Sequence, residues 1–199
     1  MKKIFLFFFL ILSTETLSKE ITNKTKIQVG NEIITEHDIL IEKNWLFFIN
    51  SENKNNISAN IIEEIAQNNL IARKIKKLET DNFKVNADKS EVDNELFNFL
   101  KTQNLSEDKV YNFTKNFKIN ENYLRETVEL EIKWKNLIRD IYSGRINVNV
   151  TEIDQQIQKN NIPLTERENI IAAEKNKILN SFLSNHLEIS KKKYLIKVL

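Results

Sequence analysis

The spacing of apolar residues along the chain predicts a mainly helical protein. In residues 61–78, apolar side chains recur at the three- and four-residue spacing of a helix that faces a core. Residues 130–141 show the same spacing, within a segment from Asn120 to about Tyr142 that we predict to be the longest helix. The chain of 199 residues contains two Gly and one Pro, and this shortage of helix breakers favours long helices over a β-rich fold.

Residues that cap helices indicate where the predicted helices begin. In a capping box, the side chain before the helix and the third helical residue each accept a hydrogen bond from the other's backbone N–H. Thr35 with Asp38 has this spacing, and Asp88 with Glu91 repeats it. Four further start signals precede amphipathic segments, namely Ser58, Ser106, Thr151 with Asp154, and Thr165 with Glu168.

Strand signals lie near the two ends of the chain. Residues 26–29 and 33–35 flank Gly30 and Asn31 and predict a hairpin, although Gly-Asn is a weaker turn signal than Asn-Gly. Residues 190–199 end in a short alternating strand. A lone strand leaves its backbone donors and acceptors unpaired, so we expect it to join the hairpin. The predicted fold class is mainly α, a multi-helix core with a small β-sheet that joins the N-terminal hairpin and the C-terminal strand.

The first 18 residues have the features of a secretory signal peptide. Lys2 and Lys3 are basic, residues 4–12 are apolar, and Thr16 and Ser18 place small residues at positions −3 and −1 of a cleavage site. The apolar run is shorter than the roughly 20 residues of a spanning helix. We therefore expect cleavage near Ser18, export to the periplasm and one domain over residues 19–199 that is not embedded in a membrane. A retained N-terminal anchor is the alternative.

Charge and composition narrow the class of function. Without Lys2, Lys3 and Glu15, the chain has 28 basic and 27 acidic residues, a net charge of +1 that gives no electrostatic case for binding nucleic acid. It has no Cys and lacks the motifs of nucleotide loops, dinucleotide sites, zinc peptidases and serine hydrolases. We interpret His37 and His186 as non-catalytic. The sequence therefore predicts no catalytic residue, metal site or cofactor, although a pair of carboxylates in a cleft is left open.

Three stretches of the chain resemble the SurA family of periplasmic chaperones, in order and in spacing. Residues 27–38 resemble the opening hairpin and the entry into the first helix of that family, and residues 182–199 resemble its last helix and closing strand. Residues 70–154 resemble the helical body between them. The motifs in this body are Val85-Asn86-Ala87-Asp88, Leu105-Ser106-Glu107-Asp108 and Tyr123-Leu124-Arg125.

The resemblance implies an ATP-independent holdase that keeps unfolded outer-membrane proteins soluble and aids their delivery to the outer-membrane assembly machinery. The chain departs from the family at one point. The family normally inserts parvulin-type prolyl isomerase domains between the helix at Ile153 and the last helix, whereas only residues 160–168 occupy that gap here. We therefore expect no isomerase activity and predict that the protein is not an enzyme.

Aromatic residues are the candidates for binding an unfolded client. Residues 45–48 and 97–99 place neighbouring aromatic rings on different faces of a helix, so at least one ring in each group points away from that helix's core side. Such a ring is either covered by another helix or lines a groove. The predicted client-binding residues are Trp45, Phe47, Phe48, Phe97, Phe113 and Phe117.

Two alternatives stay open at this point. The same helical body could serve as a non-catalytic adaptor or structural interaction protein of the cell envelope, with one folded partner in place of many unfolded clients. The C-terminal strand could also be exchanged between two copies of the chain to form a dimer, because a strand at the edge of a sheet can pair with another chain.

Overall fold

A computed structural model describes residues 23–52, 58–117, 119, 120 and 122–199. The predicted signal peptide lies outside these residues. Within them the chain forms seven α-helices and one small sheet, which confirms the predicted fold class. The elements are β1 (Thr25–Val29), β2 (Glu32–Thr35), α1 (Glu36–Glu52), α2 (Ala59–Asn82), α3 (Lys89–Thr102), α4 (Glu107–Asn116), α5 (Tyr123–Tyr142), α6 (Val150–Lys159), α7 (Arg167–Lys193) and β3 (Ile196–Val198).

The sheet joins the two ends of the described chain, as the alternating patterns predict. Its strand order is β2-β1-β3, and both neighbouring pairs are antiparallel. Ile27 lies opposite Val198, and Val29 lies opposite Ile196. One face of the sheet is buried, because Ile27 and Val29 pack with Ile75 of α2 in a common apolar cluster.

A polar contact between α2 and the end of α7 holds the last strand next to the hairpin. The buried carboxylate of Glu79 accepts hydrogen bonds from Lys193 Nζ at 2.7 Å and from the Tyr194 hydroxyl at 2.6 Å. Burial alone would raise the pKa of Glu79, but these two hydrogen bonds bring it below its ordinary value. The chain therefore leaves α7 at a fixed point and enters β3 beside β1.

The hairpin turn depends on Gly30. Its φ of +58° lies in the left-handed region that glycine adopts without steric cost, whereas Asn31 has no positive φ. A glycine at the first central position is typical of a type II′ turn, which matches the twist of the flanking strands. Gly30 also lies close to Tyr194 and Leu78, so the turn is packed against α2 and the end of α7.

Replacing Gly30 with alanine is expected to lower the free energy of unfolding by about 1–2 kcal/mol. The turn holds this residue in the left-handed region, which is costly for a residue with a Cβ, and the added methyl group would lie 3.3 Å from Tyr194 Cδ1. Urea unfolding followed by circular dichroism measures the change. Gly144→Ala is the matched control, since its added Cβ would meet no described atom within 4 Å apart from its neighbours in the chain. Equal effects of the two substitutions would contradict this account of the turn.

Three of the predicted helix starts have the expected capping geometry. Asp38 accepts a hydrogen bond from the Thr35 backbone N–H at 2.8 Å, and Thr35 Oγ1 accepts one from the Asp38 N–H at 3.1 Å. Asp88 accepts from two backbone N–H groups of α3, and Ser106 accepts from one of α4. These side chains satisfy donors that a helix start would otherwise leave unpaired.

Other predicted boundaries are wrong in detail. Helix α6 is capped by Asn149, two residues before the predicted Thr151. A short 3-10 helix, Leu164–Glu166, occupies the predicted Thr165 start, and α7 follows it without a side-chain cap. Ser58 precedes α2 as predicted, but its side chain accepts no cap hydrogen bond. The longest described helix is α7 with 27 residues, followed by α2 with 24, whereas α5 has 20.

Three long helices form the centre of the molecule. Helices α2, α5 and α7 all contact one another, α1 packs on α2, α3 packs on α5 and α6 packs on α7. Trp134 of α5 is buried with Leu179 of α7. Because α5 also faces α3, it buries Val128 and Ile132 on a second side. The predicted single stripe on α5 therefore misses this side, and its last member, Ile141, is exposed.

Candidate functional site

The structure brings four of the six predicted client-binding aromatic residues into one cluster. The ring of Phe113 on α4 lies 4.6 Å from Phe48 and 5.6 Å from Trp45, both on α1, between centroids. Phe117, just after α4, lies 4.9 Å from Phe113. Such offset and tilted pairs are the preferred arrangements of aromatic rings. We call these four residues the aromatic cluster.

The six predicted residues differ in exposure. Trp45 and Phe113 each expose 5% of their surface and lie in the core, so little of either ring is open to a client. Neighbouring helices cover both rings. Phe48 is partly buried, whereas Phe97 at 63% and Phe117 at 47% are open to solvent.

Phe47 and Phe97 have no ring contact with the aromatic cluster, although both are exposed. The prediction that each of the two sequence groups has an outward-facing ring is therefore confirmed. It is Phe47 in the first group and Phe97 in the second.

An apolar cleft opens next to the aromatic cluster. It has a volume of about 210 Å³ and lies between α3, α4 and the first turn of α5. Leu100 and Leu124 line it and also pack with the aromatic cluster in one buried group, so the cleft and the cluster are continuous. The other lining residues are Leu96, Glu107, Val110, Tyr111, Thr114 and Arg125.

Sequence reasoning did not find this cleft. Its lining residues come from three helices that are separate in the sequence, and no spacing rule connects them. One signal was available, since Val110 and Tyr111 are neighbours on the short helix α4 and cannot both face the core that Phe113 faces. Tyr111 is indeed exposed, while Val110 is partly buried against the aromatic cluster.

A second and larger cleft lies between α2 and α5. Its volume is about 480 Å³, with Leu70 and Leu130 as apolar lining residues. Most of its charged groups are already paired, as Lys74 is with Glu32 at 3.0 Å and Lys133 with Glu129 at 2.6 Å. The remaining lining residues are Asp38, Arg73, Lys77, Thr80, Asp81, Tyr123, Glu126 and Thr127.

A buried polar network lies behind the second cleft and joins α1, α2 and α5. The fully buried carboxylate of Glu42 accepts hydrogen bonds from Arg73 Nη1 at 2.6 Å and Arg73 Nη2 at 3.1 Å. It also accepts one from Asn69 Nδ2 at 2.9 Å and one from the Tyr123 hydroxyl. A buried carboxylate needs such partners, because an unpaired one is costly to remove from water.

The network favours the neutral form of Tyr123 and the charged form of Arg73. Burial raises the pKa of Tyr123, which Arg73 opposes and the carboxylate of Glu42 supports. Burial lowers the pKa of Arg73, but the charges and hydrogen bonds of Glu42 and Tyr123 together raise it above its ordinary value. We therefore interpret these three residues as a structural clamp between helices and not as an acid–base centre.

Neither histidine forms a site with obvious chemistry. The Tyr142 hydroxyl lies 3.0 Å from His186 Nδ1, and the His186 ring packs 5.4 Å from that of Trp134. Burial lowers the pKa of His186. His37 Nδ1 is buried without a hydrogen bond in the structure. Within the described residues, no group of three His, Asp or Glu side chains could bind a metal ion.

None of the helices in the described ranges has the length and apolar character needed to cross a membrane. No family model matches the chain, and no curated protein sequence is significantly similar to it. The resemblance to the SurA family therefore stays a prediction from the residues.

Proposed function

We propose that the protein is an ATP-independent periplasmic holdase that binds unfolded outer-membrane proteins and aids their delivery to the assembly machinery. The observation that supports this most is the apolar cleft beside the aromatic cluster, which is open to water and continuous with the core. Exposed Phe97, Tyr111 and Phe117 lie on the same two helices or at their ends. Open apolar surface of this kind is typical of protein interaction sites.

The size of the cleft suits weak and repeated contacts. It is smaller than the usual 300 to 1,000 Å³ of a small-molecule site, so it fits one apolar side chain of a client at a time. Burying one aromatic client side chain contributes about 2 kcal/mol, before the entropic cost of holding the chain. Several such contacts would retain an unfolded client and still release it without nucleotide.

The short connection between α6 and α7 supports a holdase without prolyl isomerase domains. Helix α6 ends at Lys159 and α7 begins at Arg167, with a short 3-10 helix between them. Arg167 also binds Asp154 of α6 through two nitrogens, at 2.7 and 3.2 Å, which fixes the two helices at this turn. This is the position at which the resembling family carries its isomerase domains.

The proposal is tested by light scattering of a urea-unfolded porin diluted into buffer with residues 19–199 of the protein. We expect suppression of aggregation at several-fold excess. A triple variant, F97S/Y111S/F117S, should suppress less. Its free energy of unfolding should fall by about 1–2 kcal/mol, most of it from Phe117, because Phe97 and Tyr111 are more exposed and Phe117 also contacts Phe113. Leu164→Ser is the matched control, an exposed apolar residue that lines neither cleft.

Absence of suppression by the unaltered protein would contradict the proposal. So would equal suppression by the triple variant and the unaltered protein, since the cleft region would then not hold the client. Pull-down from a periplasmic extract distinguishes the adaptor alternative, for which we would see one folded partner at fixed stoichiometry in place of many unfolded outer-membrane proteins.

A further inference from the structure

Strand β3 presents an unpaired edge. Gly30 N–H donates to Leu195 O and Leu199 N–H donates to Lys26 O, both at 2.9 Å. Because the hydrogen-bonding direction alternates along an antiparallel strand, Lys197 also faces β1, while the N–H and C=O groups of Ile196 and Val198 face away from it. No hydrogen bond from any described residue reaches these four outward groups.

Apolar and basic side chains accompany this edge. Val198 is 80% exposed, although it lies on the same face of the sheet as buried Ile27. Leu195 and Leu199 are exposed on the opposite face, on either side of Lys197. Lys197 has no ion pair with any residue in the described part of the chain. The edge therefore offers hydrogen bonds, apolar contact and one uncompensated positive charge.

We propose that the β3 edge takes up an extended client segment as a fourth, antiparallel strand, and that it prefers an acidic residue between two apolar residues. This inference rests on the proposed function in one respect, which is that the bound segment is part of an unfolded client. Main-chain hydrogen bonds supply the affinity in such strand addition, and alternate side chains supply the preference.

The register explains the preferred sequence. A new strand would bond to the outward groups of Ile196 and Val198, so its central residue would face Lys197 in a non-hydrogen-bonded pair, where side chains lie closest. An acidic residue there would pair with the free ammonium of Lys197. The two residues beside it would lie on the face of Val198 and would cover its exposed methyl groups.

The same register disfavours a second copy of the chain as the occupant. Full antiparallel pairing of two β3 strands would place Lys197 directly opposite Lys197 of the other copy, and like charges in this position are destabilising. A lysine on a short edge strand is also a common protection against self-association. The β3 edge therefore disfavours pairing with β3 of a second copy and favours a segment that carries a negative charge.

The test is an NMR titration of ¹⁵N-labelled residues 19–199 with a capped seven-residue peptide that has glutamate between two valines and threonines at its ends. We expect the largest amide shifts at Ile196 and Val198, whose N–H groups face the new strand. The same peptide with lysine in place of glutamate should bind about fivefold more weakly, as expected when a favourable cross-strand pair becomes a repulsive one. Lys197→Glu should reverse the order of the two peptides.

Val198→Pro provides a sharper test, because the N–H of Val198 faces outward and is not needed for pairing with β1. This substitution should abolish the shifts yet leave the fold intact, whereas Val198→Thr, which keeps the N–H and the branched side chain, should bind as before. Three results would overturn the inference, namely equal binding by V198P, shifts that map to the α3–α4 cleft, or edge shifts that grow with protein concentration alone. Suppression of porin aggregation without edge binding would overturn this inference and leave the holdase proposal standing. Edge binding without suppression would contradict the holdase proposal and leave this inference standing.

Discussion

A variant in which Glu42 is replaced with glutamine is expected to lose about 3 kcal/mol of its free energy of unfolding, because it leaves a mostly buried guanidinium without its counter-charge. The side chain of Glu42 has no exposed surface and that of Arg73 has 19%, so water cannot replace the lost carboxylate fully. Urea unfolding at constant pH and salt measures this loss.

The Glu63→Gln variant is the matched control for the charge change. Glu63 of α2 pairs with Lys43 of α1 at 2.5 Å, but half of its side chain is exposed. Exposed ion pairs contribute about 0–1 kcal/mol, so its removal should be nearly neutral. If both glutamates gave the same small loss, the Glu42 network would not be a structural clamp.

A second variant separates the charge from the packing. Replacing Glu42 with glutamine and Arg73 with methionine removes both charges, and should recover part of the stability lost in the single variant. The Tyr123 hydroxyl retains an acceptor in the glutamine carbonyl. A double variant less stable than the single one by a further 3 kcal/mol or more would indicate that the guanidinium contributes through its contacts and not through its charge.

Local patterns in the sequence predicted much of the fold. The capping box of Thr35 and Asp38 and the alternating strand before Leu199 each involve neighbouring residues, whose chemistry acts over a few positions. The meeting of the two ends could be predicted as well, since an unpaired strand needs a partner and the hairpin was the one available.

Contacts between distant residues could not be predicted in this way. Arg73 lies 31 positions after Glu42 and 50 positions before Tyr123. In the sequence, each of the three looks like an ordinary charged or aromatic residue on a helix. Only the packing of α1, α2 and α5 brings them together. The α3–α4 cleft escaped prediction for the same reason, because its walls belong to separate helices.

The aromatic residues show the limit of the rule that adjacent side chains on a helix point in different directions. Adjacent rings on α1 must point in different directions, and Phe47 does point outward while Trp45 points inward. The rule does not say which ring a neighbouring helix covers. Helix α4 places Phe113 against Trp45 and Phe48, so Trp45 and Phe113 are buried and Phe48 is partly buried. The exposed rings in this region are those of Phe97, Tyr111 and Phe117.

Replacing Phe113 with alanine should therefore lower the free energy of unfolding by about 3–5 kcal/mol, as for other fully buried phenylalanines. The substitution removes a ring that contacts Trp45, Phe48 and Phe117, and it leaves a cavity between α1 and α4. Urea unfolding followed by tryptophan fluorescence reports it directly, because Trp45 adjoins the altered position.

Phe117→Ala is the matched control, because it removes the same side chain from the exposed end of the aromatic cluster. Since about half of that ring is already in water, its loss should lower the free energy of unfolding by about 1 kcal/mol. The two variants should then separate by function as well, with Phe117→Ala weakening client retention at nearly full stability. Similar small losses for both would mean that Phe113 is not a core residue, and would return it to the client-binding surface predicted from the sequence.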